Sequence, residues 1–181
     1  MSNVIVVGDG AGIVGDISYI TAQAPTSTAK YKLGTIVLTE DSSKTTRSKW
    51  MYVKAHAALT QYQPYIVAMS GFAGAEFVTA APLTLAAPGY YVCVPQVAFT
   101  TLYFGWVLIG GDGKGLATAE TYAVGDMIQV ITAGTAFNIS GSSGGTQAFA
   151  VETCGMYKEA GSTAVARAIW LMGERAVITS S

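Results

Sequence analysis

Residues 4–16 read VIVVGDGAGIVGD, and Gly10, Gly12 and Gly15 stand in the G-x-G-x-x-G spacing of a dinucleotide-binding loop. That chemistry needs a helix to begin inside the glycine cluster, so that its free amides hold a pyrophosphate. Here the next residues are Asp16, Ile17, Ser18, Tyr19, Ile20 and Thr21, weak helix formers, with Pro25 close behind. Glu40 ends a strand-like run where a ribose-binding acid would stand. Yet no crossover helix joins the two runs, and no alternation of strands and helices follows. The stretch reads as a glycine-rich, conformationally permissive segment, and no cofactor is expected.

The other reactive residue types are sparse. His56 is the only histidine, which removes most metal sites and most nucleophilic triads. Asp41, Glu76, Asp112, Glu120, Asp126, Glu152, Glu159 and Glu174 are scattered, and sequence alone leaves open whether any two meet as a glycosidase pair. Asp112 and Asp126 sit in G-D-G and G-D contexts, where Asp supplies local hydrogen bonds. Cys93 and Cys154 form no C-x-x-C pair and read as reduced, buried thiols acting as small apolar groups. The expectation is no catalytic residue, no metal and no enzyme.

What remains is composition and pattern. Charged residues make up 12% of the 181, about half the roughly 25% of an ordinary soluble domain. The net charge of −1 offers no bulk attraction to nucleic acid or to an anionic membrane. Phe77 to Gly111 and Met127 to Val151 carry no acid or base, but the first holds Pro82, Pro88 and Pro95, which no simple spanning helix would. A basic, cleavable leader is not visible, so synthesis in the cytoplasm is expected. A surface this poor in charge implies coverage by copies of itself or by a larger assembly.

The elements that must position these residues are strands. TIVLT (35–39), WMYVKA (50–55), PYIVAM (64–69), YYVCVPQVAF (90–99), TLYFGWVLI (101–109), MIQVIT (127–132), AFAVET (148–153) and AVARAIWL (164–171) are short β-branched or aromatic runs. Turn signals separate them: APG at 87–89, GGDGKG at 110–115, VGD at 124–126 and SGSSGG at 140–145. The pattern predicts an all-β fold, a single β-sandwich or barrel-like domain over 31–181. Only KAHAALTQYQ (54–63) predicts a turn or two of helix. Residues 1–30 predict an extended N-terminal arm, because 16–32 offer few large apolar side chains and are broken by Pro25. EDSSKTTRSK (40–49) is the one dense charge cluster, a hairpin tip of both signs. Trp50, Tyr52, Phe104, Trp106 and Trp170 lie inside strand patterns and read as core or interface anchors.

Three stretches resemble a known family. GTIVLTEDSSKTTRSKWMYVKAHAAL is similar to a Gly-led strand, polar turn and aromatic–x–aromatic–Val–Lys–Ala strand of small tailed-phage virion proteins. LYFGWVLIGGDGKGLATAETYAVGDMIQV resembles their Gly-Trp strand, glycine turn and Val-Gly-Asp step, and ARAIWLMG their closing apolar strand. The likeness covers about residues 31–173 and points to the capsid decoration, or cement, proteins of tailed bacteriophages.

What the resemblance implies is a β-rich, commonly trimeric protein on the outer surface of the mature capsid. Its partners would be the major capsid protein and itself, with no nucleic acid and no membrane. Carried over, Gly105, Trp106, Gly125 and Asp126 become fold-determining positions. Candidate capsid or inter-subunit contacts are Val4, Ile5, Val6 and Val7 in the arm, which can add backbone pairing to a strand edge, and Lys44, Arg47 and Lys49 in the charged tip. The alternative is another virion component, such as a head fibre, tail fibre or baseplate protein.

Overall fold

The structure is a computed structural model that describes residues 4–6, 23–41, 46–69, 77–80, 90–131, 135–140, 149–173 and 175–176. Twelve strands are present and no helix occurs among the described residues, so the all-β reading stands. In chain order they are β1 (Val4–Val6), β2 (Ile36–Asp41), β3 (Thr46–Ala55), β4 (Tyr65–Met69), β5 (Phe77–Ala80) and β6 (Tyr90–Cys93). Then follow β7 (Phe104–Leu116), β8 (Met127–Ile131), β9 (Asn138–Ile139), β10 (Phe149–Tyr157), β11 (Ala166–Leu171) and β12 (Arg175–Ala176).

β3 and β7 are the spine. They pair antiparallel, with Tyr52 opposite Trp106, and both faces of the pair are buried. Trp50, Tyr52, Trp106 and Leu108 enter one apolar cluster, while Met51, Val53, Ala55, Val107 and Ile109 enter another. Burial on both sides explains why WMYV and GWVLI are unbroken apolar runs rather than alternating ones.

Two closed rings of strands share β7. In the first, β3 pairs β7, β4 pairs β5 and β6, and β5 runs parallel to β3. Val94, just past β6, closes it by exchanging both backbone hydrogen bonds with Leu108. In the second, β7 pairs β11, β11 pairs β10, β10 pairs β8 and β8 pairs β9. A parallel bridge between Ala117 and Phe137 closes that ring. The pairing scheme is therefore the same twice over, β3 to β7 in the first ring repeating as β7 to β11 in the second. Met51, Val53, Tyr65, Val67, Cys93 and Phe99 fill the first lumen. Phe137, Ile128, Val130, Tyr157 and Ile169 fill the second.

Three expectations are corrected. Residues 54–63 are not helical: β3 ends at Ala55, and Leu59 forms an antiparallel bridge with Phe99 that buries it in the first core. Long-range pairing overrides the local preference of an Ala-rich stretch. GGDGKG at 110–115 is not a turn but the second half of β7. Its glycines are there because neighbours press on the strand: a Cβ on Gly115 would come within 2.6 Å of Phe137 and Ile169. YYVCVPQVAF is not one strand, for β6 stops at Cys93 and Pro95 interrupts the run before the bridge at Phe99. The turn at 124–126 is present, whereas APG and residues 141–145 lie outside the described residues.

Within the segment read as an arm, β1 pairs antiparallel with β2 of its own chain, Ile5 opposite Leu38. Thr26 exchanges two backbone hydrogen bonds with Phe104, at 2.9 and 2.8 Å. Farther on, the Lys30 amide donates to the Tyr52 hydroxyl at 2.9 Å. Tyr31 packs on Tyr52 and Trp106 with ring centroids 5.1 and 5.3 Å away. Residues 26–33 thus form a strap over the spine.

Candidate interaction surface

The site begins with a bulge. Between Lys49↔Gly110 and Trp50↔Leu108 the register slips, leaving Ile109 as an extra residue on β7. Gly111 follows with φ +80° and pairs with Ser48 on β3 and with Leu171 on β11, so β7 changes partner at this residue. A side chain at Gly111 would collide with the Arg47 carbonyl oxygen. A Cβ on Gly110 would lie 2.8 Å from the Gly173 Cα. Three glycines in close approach therefore make a low floor.

Walls rise around that floor to enclose an open groove of about 470 Å³. Leu38 stands on one side, Trp170 and Met172 on the other, with Arg47 and Lys49 at the cationic end. Lys49 Nζ lies 5.3 Å from the Tyr91 ring centroid, a cation–π contact that holds its stem in place. The Ser48 hydroxyl donates to the Asp112 carbonyl at 2.9 Å and ties β3 to β7 at the crossing point.

Of the residues expected to make contacts, Arg47 and Lys49 meet in this groove. Ile5 is the register partner of Leu38, which puts the β1 backbone one strand from the groove wall, with Val4 and Val6 beside it. Val7 and Lys44 lie outside the described residues, as do the glycines at 8–15. Trp170, read as an anchor, is half-buried on the groove, whereas Trp50, Tyr52 and Trp106 are core. Trp50 Nε1 donates to the Thr39 hydroxyl at 3.1 Å inside that core.

At the opposite end of β11 the surface is different in kind. Tyr122 bridges Gly161, and the chain turns through Ala123–Asp126, with Gly125 at φ +91°. The Asp126 carboxylate accepts from the Ala123 amide at 2.7 Å and fixes the turn. Val124 at its tip is 67% exposed, and Val165, just before β11, is 43% exposed. Paired backbone bonds between Tyr122 and Gly161, and a bond from the Gly125 amide to the Tyr157 carbonyl, hold the turn to the end of β10, while the Ala117 amide just past β7 donates to the Val165 carbonyl.

Three more of the described carboxylates make local structural contacts. Asp112 pairs with Lys158 at 2.5 Å, Glu120 accepts from the Thr118 hydroxyl at 2.7 Å and Glu159 accepts from the Ala168 amide at 2.9 Å. His56 is exposed in the bend after β3. Among the described residues no three His, Cys, Asp or Glu side chains gather as a metal site. Burial pushes the Cys93 and Cys154 thiols far up, and burial first, then nearby charges including Glu120 and Asp126, raises the Tyr157 hydroxyl. That hydroxyl donates to the Phe137 carbonyl at 2.8 Å.

No protein-family model matches the chain, and no curated protein matches it.

The repeated pairing scheme and the groove escaped the sequence reading. The signal for the first is faint: ALTQYQ (58–63), AFTTLY (98–103) and TYAVGD (121–126) begin the same turn after a bridging residue. No signal marks the groove, because its floor and walls come from four separate stretches.

Proposed function

We propose that this chain is a structural protein of a tailed-phage virion that decorates the outer surface of the mature capsid as a trimer. The observation that carries the reading is a chain with only 12% charged residues. Beside it stand two outward-facing association features, an apolar groove rimmed by Arg47 and Lys49 and an exposed Val124 tip. Described carboxylates engaged in turn and sheet contacts fit a scaffold. So do the residues in 31–173 that resemble decoration proteins.

Such a protein stabilises by mass action, because it binds the assembled lattice and not the free subunits. Several weak contacts per trimer add through effective concentration. The test is to incubate purified protein with mature heads of the phage that carries the gene, then sediment and image them. Saturable binding at hundreds of copies, with heads that rupture at a higher temperature, is the expected result. Absence of binding overturns the reading, and a handful of copies at one vertex favours a fibre or baseplate role.

A further inference from the structure

We infer that Gln96 is a latch between the two rings, its side-chain carboxamide standing in for a peptide unit along the second half of β7. The inference concerns a joint within one chain and is independent of the capsid reading. It starts from backbone bonds of the first ring that recur in the second. The Ala55 amide donates to the Tyr103 carbonyl, and the Ala117 amide to the Val165 carbonyl. Leu59 and Phe99 exchange two bonds, as do Tyr122 and Gly161. The Tyr62 amide donates to the Pro95 carbonyl, and the Gly125 amide to the Tyr157 carbonyl.

Counting back three residues from Ala55 and from Ala117 aligns Tyr52 on β3 with Lys114 on β7. At Tyr52 the strand edge is paired by peptide groups: its amide donates to the Thr35 carbonyl and its carbonyl accepts from the Gly34 amide. At Lys114 a side chain takes that place. The Lys114 amide donates to Gln96 Oε1 at 3.0 Å, and the Lys114 carbonyl accepts from Gln96 Nε2 at 2.8 Å. A carboxamide carries the same donor and acceptor as a peptide unit, so Gln96 supplies both partners that a neighbouring strand would.

Alternate residues of a strand turn their N–H and C=O groups to the same edge, and the first ring holds three in a row on this one. The Ser48 hydroxyl donates to the Asp112 carbonyl, Gln96 grips Lys114, and the Tyr62 carbonyl accepts from the Leu116 amide at 2.7 Å. Gln96 also ties the latch to the turn that carries Tyr62, because its own carbonyl accepts from Gln61 Nε2 at 2.7 Å. Lys158, the residue that aligns with Gln96 in the second ring, reaches the Asp112 carboxylate instead. Both copies of this position therefore act on the second half of β7, one on its backbone and one on a side chain. Lys114 is exposed, so water can replace the carboxamide, and loss of the latch is felt locally rather than as unfolding.

Amide hydrogen exchange followed by NMR on the full chain tests this. In wild type the Lys114 amide should exchange about tenfold or more slowly than in the unfolded chain. Gln96→Met keeps the length of the side chain and removes the carboxamide, and it should speed Lys114 by about tenfold. The Leu108 amide, held by the Val94 carbonyl, should keep its wild-type rate. Gln96→Asn, with the amide on a shorter stem, is the second variant and should act as Gln96→Met does. Lys158→Met removes the ion pair and should leave Lys114 unchanged. Unprotected Lys114 in wild type overturns the inference even if neither Gln96 variant folds. So does a Gln96→Met protein with Lys114 unchanged, or one in which Leu108 speeds by the same factor, since Gln96 would then act on overall stability alone. An equal effect of Lys158→Met on Lys114 overturns it as well.

Discussion

Tyr62 and Leu102 hold the left-handed backbone, with φ of 67° and 65°. Each lies three residues past a bridging residue, Leu59 or Phe99, and Gly125 lies three past Tyr122 with φ +91°. One turn is thus built three times, once with glycine and twice with large residues. A side chain in this conformation costs about 1–2 kcal/mol, partly offset by the extra freedom glycine has when unfolded. Leu102→Gly should therefore raise stability by about 0.5–1 kcal/mol in urea unfolding, since the 56% exposed Leu102 side chain gives up little contact. Gly125→Ala should lower it by about 1 kcal/mol in the same measurement. The two buried thiols set a pH dependence. Their folded values stand above the ordinary 9.0 because burial disfavours the thiolate. Below that value both states are protonated and stability is complete; above it the unfolded chain loses protons that the folded one keeps. Stability should fall as pH rises beyond about 9, by about 1.4 kcal/mol per pH unit for each thiol. A Cys93→Val, Cys154→Val protein followed by urea unfolding at pH 8 and 10 should lose most of that slope. Burial of both cysteines was legible because two thiols with no C-x-x-C spacing read as reduced, and a reduced thiol behaves as a small apolar group. The strained turns were not, because neither Tyr62 nor Leu102 is a residue type that announces a positive φ.

Strands were legible where side chains declare them. The β-branched and aromatic runs of β3, β4, β8 and β11 match the observed elements, since a strand that packs on apolar neighbours needs such residues. GGDGKG misled because glycine marks both tight turns and strands under close approach, and the difference lies in which neighbour presses on it. The groove was illegible for a related reason: Leu38, Lys49, Gly110 and Met172 come together through strand pairing, and pairing partners leave no local pattern. Gly111→Ala tests the crossing point. Left-handed backbone and a collision with the Arg47 carbonyl act together there, so the cost should be about 3 kcal/mol or more. Thermal unfolding checks this, and failure to fold counts as the same outcome. Phe137→Ala empties the second lumen, where the ring is fully buried among Gly115, Ile169 and Tyr157. A loss of about 3–5 kcal/mol is expected from equilibrium unfolding.

At the scale of the molecule, the two rings are one cooperative unit because β7 is a wall of both. A break in either removes hydrogen bonds from a strand the other needs. Trp50 and Trp106 report on the spine and Trp170 on β11. A variant keeping only Trp106 and another keeping only Trp170 should each unfold in a single step, with fluorescence and circular dichroism giving one common midpoint within each variant. Two separated transitions within either variant would show that the rings melt independently. Only one β-rich domain was evident from the sequence, since the duplicated scheme survives in strand order and pairing rather than in residue identity. Under the proposed role in a multi-copy shell, the glycine crook in β7 bears on assembly as well. It fixes the angle at which one barrel leaves the other, and every copy inherits that angle. A substitution that bent it by a few degrees would be harmless in a solitary molecule. In the shell proposed for it, the same error would accumulate from copy to copy, and the circle would no longer meet its own beginning.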